Sequence, residues 1–126
     1  MSTIKTETLS TPSNATVPVD TVVNGTAKAW VNFNGTGTVA IRRAFNVSSI
    51  TDINVGEYQI NFAVAMSDSN YASAITASDV TYGAVPYLFG NTGDASTTSC
   101  RFFIRSNYTA TPPAGDPGMC HVTFFS

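Results

Sequence analysis

The sequence predicts an all-β fold, an antiparallel β-sandwich of jelly-roll-like form, preceded by an extended N-terminal arm. Three observations predict it. The 126 residues include 18 Thr, 13 Ser and 10 Asn, while Glu, Lys, Arg and Gln together number only nine. Thr and Val suit a pleated surface, and Asn, Ser and Gly suit turns. Apolar residues also recur at every second position in several short runs, the signature of a strand with one buried face. Turn clusters interrupt these runs about every 8–12 residues, the spacing of a sandwich or barrel. No window carries a convincing helical period, and there is no internal repeat. The length suits one domain, and 43% apolar residues suffice for a core.

Residues 1–26 read as an arm or linker. Thr6 to Asp20 is rich in Thr, Ser and Pro and lacks aromatic residues. Pro12 and Pro18 remove backbone donors and hold an extended φ. Alone, such a segment should be poorly ordered, and a partner chain is the natural means of ordering it.

The sandwich domain is expected over 27–126. Ala27, Ala29, Val31 and Phe33 alternate with Lys28, Trp30 and Asn32, which puts Trp30 on the outer face. Asn34-Gly35-Thr36-Gly37 reads as a tight turn. A second strand runs from Thr38 to Val47, with Val39, Ile41, Phe45 and Val47 on one face and Arg43 interrupting it. Ser48 to Gly56 is read as containing the next turn. Tyr58, Ile60, Phe62 and Val64 then mark the clearest strand. Met66 to Asn70 turns again. Tyr71–Ala77 and Val80–Val85 are weaker strands, with loops at Pro86 and at Asn91–Asp94. Ser99–Asn107 and Met119–Phe125 are the last two strands, separated by a proline loop over Thr111–Gly118.

Composition excludes several functions. A net charge of -2 with six basic residues does not make a nucleic-acid surface, which needs clustered Lys and Arg. Arg42-Arg43 is the only basic pair. No apolar run approaches the roughly 20 residues that span a bilayer, so membrane insertion is not expected. The start, Met1 to Glu7, lacks the basic and apolar regions of a secretory signal, and the chain reads as made and assembled inside a cell. The two cysteines, Cys100 and Cys120, share strand faces with apolar neighbours and are expected to point into the core. Two buried thiols in a reducing compartment is the preferred reading, and one bridge between neighbouring strands is the alternative.

The segment Lys28-Ala29-Trp30-Val31-Asn32-Phe33-Asn34-Gly35-Thr36-Gly37-Thr38-Val39-Ala40-Ile41-Arg42 resembles one found in bacteriophage tail-fibre-like virion proteins of the aquatic phage type. The runs Phe45–Asp52 and Gly56–Phe62, the step from Met66 to Tyr71 and the closing Met119–Phe125 continue it. The resemblance spans about residues 20–71 and is weaker at the end, while 72–118 reads as variable loops. It implies a virion component without catalytic activity, usually a homotrimer, built into the particle in the host bacterial cytoplasm. Its implied partners are other copies of itself, other virion proteins of the tail or the major capsid protein, and host cell-surface polysaccharide or protein. Tail-fibre members of the family carry this domain at the end of a long shaft. Here the sequence opens at Met1 with only a short arm, so a capsid decoration or cement protein, with arms threading to neighbours, is the alternative expectation.

The residues themselves offer little chemistry. His121 is the only histidine and faces away from its neighbour Cys120 on a strand, so no zinc site is expected. No Gly-x-Ser-x-Gly elbow occurs. The eight acidic residues lie mostly in turns and suggest no glycosidase pair, which leaves polysaccharide hydrolysis as a remote second alternative. Gly35-Thr36-Gly37 lacks the Lys and helix of a phosphate loop. The five Asn-x-Ser/Thr sequons, at Asn14, Asn24, Asn34, Asn46 and Asn107, follow from composition. No catalytic residue, cofactor or metal is therefore expected.

Binding residues can be nominated. Trp30 and Phe103 are outward by parity, and a small monomer would expose them. Arg43 falls on an otherwise apolar face, where an unpaired guanidinium would be costly. Either a bulge turns it outward or it pairs across a subunit interface, and the interface is the preferred account. Tyr82, Tyr87 and Tyr108 lie near variable loops and suit saccharide or protein contacts.

Overall fold

The computed structural model of the chain describes residues 1–78, 87–91, 94–106 and 115–126. Its N-terminal arm is locally structured. β1 (Thr8–Ser10) and β2 (Thr16–Pro18) form an antiparallel ribbon of three residue pairs, closed by a turn in which Asn14 adopts φ 63°. A short helix, α1 (Val19–Gly25), follows directly, so the arm is not extended throughout. Pro18 cannot donate a backbone hydrogen bond and precedes the helix, Asp20 lies in the first turn, and Thr26 Oγ1 donates to the carbonyl of Val22 at 2.7 Å to close the end. Seven residues are too few to display a helical period, which is why the sequence hides this helix. None of them is buried.

Eight further strands among the described residues build the sandwich: β3 (Ala29–Asn34), β4 (Ala40–Phe45), β5 (Val47–Asn54), β6 (Glu57–Phe62), β7 (Ala72–Ser78), β8 (Tyr87–Asn91), β9 (Ser99–Ser106) and β10 (Met119–Phe125). They form two four-stranded antiparallel sheets, ordered β4-β3-β10-β7 and β5-β6-β9-β8. All-β architecture is thus the outcome, with β3 and β10 paired at the centre of one sheet. Two strands differ from the sequence reading. β5 occupies a stretch read as a turn, because its edge position on β6 accommodates Thr51, Asp52 and Asn54. β8 begins just after Pro86, where the sequence suggested only loop. The expected strand over Val80–Val85 lies outside the described residues.

Period-two patterning fills the space between the sheets. Ala29, Val31 and Phe33 of β3 and Cys120, Val122 and Phe124 of β10 face Tyr58, Ile60 and Phe62 of β6 and Cys100, Phe102 and Ile104 of β9. Rings meet edge to face across the layers: Phe33 lies 5.1 Å from Tyr58, and Phe62 lies 5.0 Å from Phe124 between centroids. Such pairs add about 0.5–1.5 kcal/mol each beyond burial. Cys100 and Cys120 sit in this core on strands of opposite sheets and are not bridged, so the alternative of a disulfide between neighbouring strands does not apply. Burial pushes the Cys120 thiol up to about 12. It also raises Cys100, against a hydrogen bond from Tyr71 that lowers it.

The chain changes sheets at Asn46. This residue adopts φ 53°, a left-handed conformation that Asn tolerates better than most residues. Its side chain donates to the carbonyls of Lys28 and Val64, at 3.1 Å each, and accepts from the Val64 N–H at 2.7 Å. One amide thereby ties the corner to the start of β3 and the end of β6.

Arg43 is turned outward by a bulge. The pairing of β3 with β4 shifts between Asn32 and Phe33, so that Arg43 faces Asn32 while Ile41 faces Phe33. The extra residue, Arg42, folds over the edge and donates to the carbonyls of Gly118 and Phe33, at 2.7 and 3.3 Å. The bulge inverts parity along β4. Phe45 and Arg43 therefore join the outer face, Ala44 takes the inward position opposite Val31, and no guanidinium is buried. Of the two accounts of Arg43, the bulge is what the backbone adopts.

Candidate functional site

The two outer faces of the sandwich differ in chemistry, and this difference is the main functional feature. On the β4-β3-β10-β7 sheet, cross-strand pairing lines up Phe45, Trp30, Thr123 and Ala74 in one row and Arg43, Asn32, His121 and Thr76 in the next. Phe125, paired with Ala72, extends the first row along β10. Phe45 is 54% exposed and Phe125 37% exposed, and Trp30 is partly covered. Aromatic rings thus occupy positions where a sheet facing water carries polar groups. The second row supplies Arg43 and His121, both exposed. The Oδ1 atom of Asn32, between them, is buried without a hydrogen-bond partner among the described residues.

Among the described residues, the other outer face carries mainly polar side chains that bond to one another. Asn61 donates to the hydroxyls of Ser49 and Thr51 at 3.0 Å each and accepts from Gln59 at 2.8 Å. Arg101 pairs with Glu57 at 3.0 Å and reaches Asp94 at 3.5 Å. Phe103 stands opposite Glu57, half-buried at the end of this ladder.

The structure therefore brings Trp30 and Arg43 onto one face and places Phe103 on the opposite one. Tyr82 and Tyr108 lie outside the described residues. Of Tyr87, only its backbone place is described, at the start of β8 opposite Ser106. Phe45 and Phe125 are the functional candidates that sequence reasoning missed. Phe125 was legible by parity with Thr123, whereas Phe45 was hidden by the bulge.

The acidic residues act as structural acceptors. Asp116 Oδ1 takes the Tyr58 hydroxyl and the Gly56 N–H, both at 2.8 Å. Asp68 caps the Asn70 N–H at 2.7 Å. Glu57 and Asp94 share the Arg101 guanidinium and clasp β6, β9 and the segment before β9. His121 is exposed while Cys120 is fully buried, so the two side chains diverge. No group of three or more His, Cys, Asp or Glu that could hold a metal occurs among the described residues. No helix among them is long and apolar enough to cross a membrane.

An open groove of about 440 Å³ lies where α1 meets the end of the sandwich, lined by Val23, Asn24, Lys28, Asn46, Met66 and Ser126 among others. The Lys28 ammonium is already engaged by the Val23 carbonyl. Comparison of the chain with protein-family models, with curated proteins and with solved structures returns no match.

Proposed function

We propose that this chain is a non-enzymatic bacteriophage virion surface protein that acts by binding, as a homotrimer with a tail-fibre-tip-like role in host attachment. The sequence resemblance over about residues 20–71 supports the virion assignment. The contrast between the two outer faces carries the binding mode. Three copies around a threefold axis can turn the Trp30, Phe45 and Phe125 face inward and keep the Ser49, Thr51, Gln59 and Asn61 face toward water. Hydroxyls, amides and the Phe103 ring on the outer side match the chemistry of a polysaccharide, which combines hydroxyl groups with flat apolar faces. Pairing of the first and last sandwich strands, β3 and β10, supports a jelly-roll-like arrangement.

A second reading is favoured by the arm. Its ribbon and helix are largely exposed, with only Val17, Val19 and Val22 half-buried, which suits a capsid decoration or cement protein that reaches across to neighbouring subunits. Antibody labelling of intact virions, viewed by electron microscopy, separates the readings. Label at the tail tip supports attachment, label over the head supports decoration, and particles without label overturn the virion assignment. Sedimentation equilibrium tests the face itself. Trimers that dissociate in a Trp30→Ser, Phe45→Ser variant of unchanged circular dichroism support it, and a monomeric parent protein overturns it.

A further inference from the structure

We infer that the edge of β7, which no strand pairs among the described residues, receives the N-terminal segment Ser2–Ser10 of a second copy of this chain, a strand exchange that rests on the subunit-assembly reading above. Each sheet has two edges, and three of the four edge strands carry a feature that discourages pairing. β4 has a bulge and Arg42-Arg43. β5 has two register irregularities and Asp52. β8 is only five residues long. Short, charged or bulged edges resist added strands.

β7 has none of these features. It runs Ala72-Ser73-Ala74-Ile75-Thr76-Ala77-Ser78, without charge, Pro or Gly. It pairs with β10 through seven successive positions with no irregularity. Among the described residues nothing pairs along its far side. A flat, uncharged edge of this length is a template for another strand.

The arm supplies a matching strand. The segment Ser2–Ser10 contains no Pro or Gly, and Thr3, Ile4, Thr6 and Thr8 are β-branched. Every residue in it is exposed. β1 uses one edge for its three pairs with β2 and leaves the other open. A two-stranded ribbon of this size is marginal in water unless something else covers it. At roughly 3.3 Å per residue, β7 offers about 23 Å and the arm segment about 30 Å.

Side-chain parity also agrees. Ile4, Thr6 and Thr8 share one side of the arm segment, and Thr3, Lys5, Glu7 and Leu9 share the other. On β7, Ser73 and Ile75 lie on the core side, paired with Phe124 and Val122. Seating Ile4 and Thr6 beside that row extends the core layer and puts Lys5, Glu7 and Leu9 on the outer side, where Leu9 borders the aromatic face. Hydroxyl pairs between Thr and Ser across the two strands add further stabilisation. The donor is a second copy because the chain's own arm is tied beside α1, where the Val19 N–H donates to the Glu7 carbonyl at 2.8 Å, ahead of β3 and with β10 between β3 and β7. The β7 edge also borders the aromatic face, so a neighbour seated on that face brings its arm past the edge.

Cross-linking of full-length chains tests this. Copies carrying Glu7→Cys are mixed with copies carrying Ala74→Cys and treated with a short bismaleimide, which tolerates a register offset of a residue or two. Strand exchange predicts a mixed product of twice the chain mass. Adding Thr6→Pro to the Glu7→Cys copy, which removes an arm N–H, should lower its yield about tenfold, the effect of losing roughly 1.4 kcal/mol. A trimer by sedimentation that gives no mixed product overturns strand exchange and leaves the face reading standing. A doubly substituted chain that links only to itself shows the arm seated on its own sheet and also overturns it. A protein that stays monomeric at all concentrations overturns both.

Discussion

The Tyr58 hydroxyl donates to Asp116 Oδ1 at 2.8 Å, and the same carboxylate oxygen accepts the Gly56 N–H at 2.8 Å. This contact joins β6 to the segment that leads into β10, and so links the two sheets at one end. Gly35 completes it: its carbonyl lies 3.3 Å from the Tyr58 hydroxyl, and its N–H donates to the Pro117 carbonyl at 2.8 Å. A fully buried tyrosine between two sheets needs such partners, because an unmet hydroxyl there is costly.

Tyr58→Phe should therefore destabilise the fold by about 1.5–3 kcal/mol, the range for a hydrogen bond to a charged group. Urea denaturation monitored by Trp30 fluorescence measures the change. A difference within error would mean that the Asp116 contact contributes nothing to stability.

Gly35→Ala should be at least as damaging. A Cβ at this position would come within 2.5 Å of the Tyr58 hydroxyl and 2.8 Å of Pro117 Cδ. Overpacking of this kind costs typically about 1–3 kcal/mol. Gly37→Ala, where nothing lies within 4 Å but φ is +65°, separates steric crowding from backbone strain. The expected order of melting temperatures is parent, then Gly37→Ala, then Gly35→Ala.

Stability should fall at alkaline pH. Burial, the Asp116 hydrogen bond and the Asp116 charge raise the pKa of Tyr58, and burial and then Cys100 raise that of Tyr71. Burial takes Cys120 from an ordinary 9.0 to about 12. Each group is neutral when protonated, and its folded pKa lies above its unfolded one. Its contribution is complete below the unfolded value and is lost as pH rises toward the folded value. Between about pH 9 and 12 each such group lowers stability by about 1.4 kcal/mol per pH unit once its unfolded form has titrated. Denaturation midpoints across this range check the slope, and a flat profile would contradict the burial of these groups.

Asn46→Ala should cost about 2–4 kcal/mol, from three lost hydrogen bonds and the left-handed backbone. Asn46→Gly restores the backbone preference without the bonds and should recover about 1 kcal/mol of that loss. Thermal melts of the pair measure how much of the corner's stability comes from its side chain.

On the proposed trimer, Phe45→Ser should weaken subunit association about ten- to a hundredfold while leaving the monomer folded. The ring is 54% exposed in the single chain, so burying the remainder at roughly 25 cal/mol per Å² provides a few kcal/mol. Sedimentation equilibrium gives the association constant, and circular dichroism reports the fold.

Much of this architecture follows from the sequence because side-chain parity in a strand is local. Alternation alone places Val31 and Phe33, Tyr58 and Ile60, Cys100 and Phe102, and Val122 and Phe124 in the core, with Trp30 and Phe103 outside. Strand order, the Asn46 corner and the Tyr58–Asp116 contact join residues far apart in the chain, and no short window encodes them. The bulge at Arg42 shows the difference most directly. One additional residue, fixed by pairing with β3 and by the Gly118 carbonyl, reverses parity and moves Phe45 to the surface. Which outer face is aromatic was thus decided by long-range pairing, while the existence of two faces was set by the period of the strand itself.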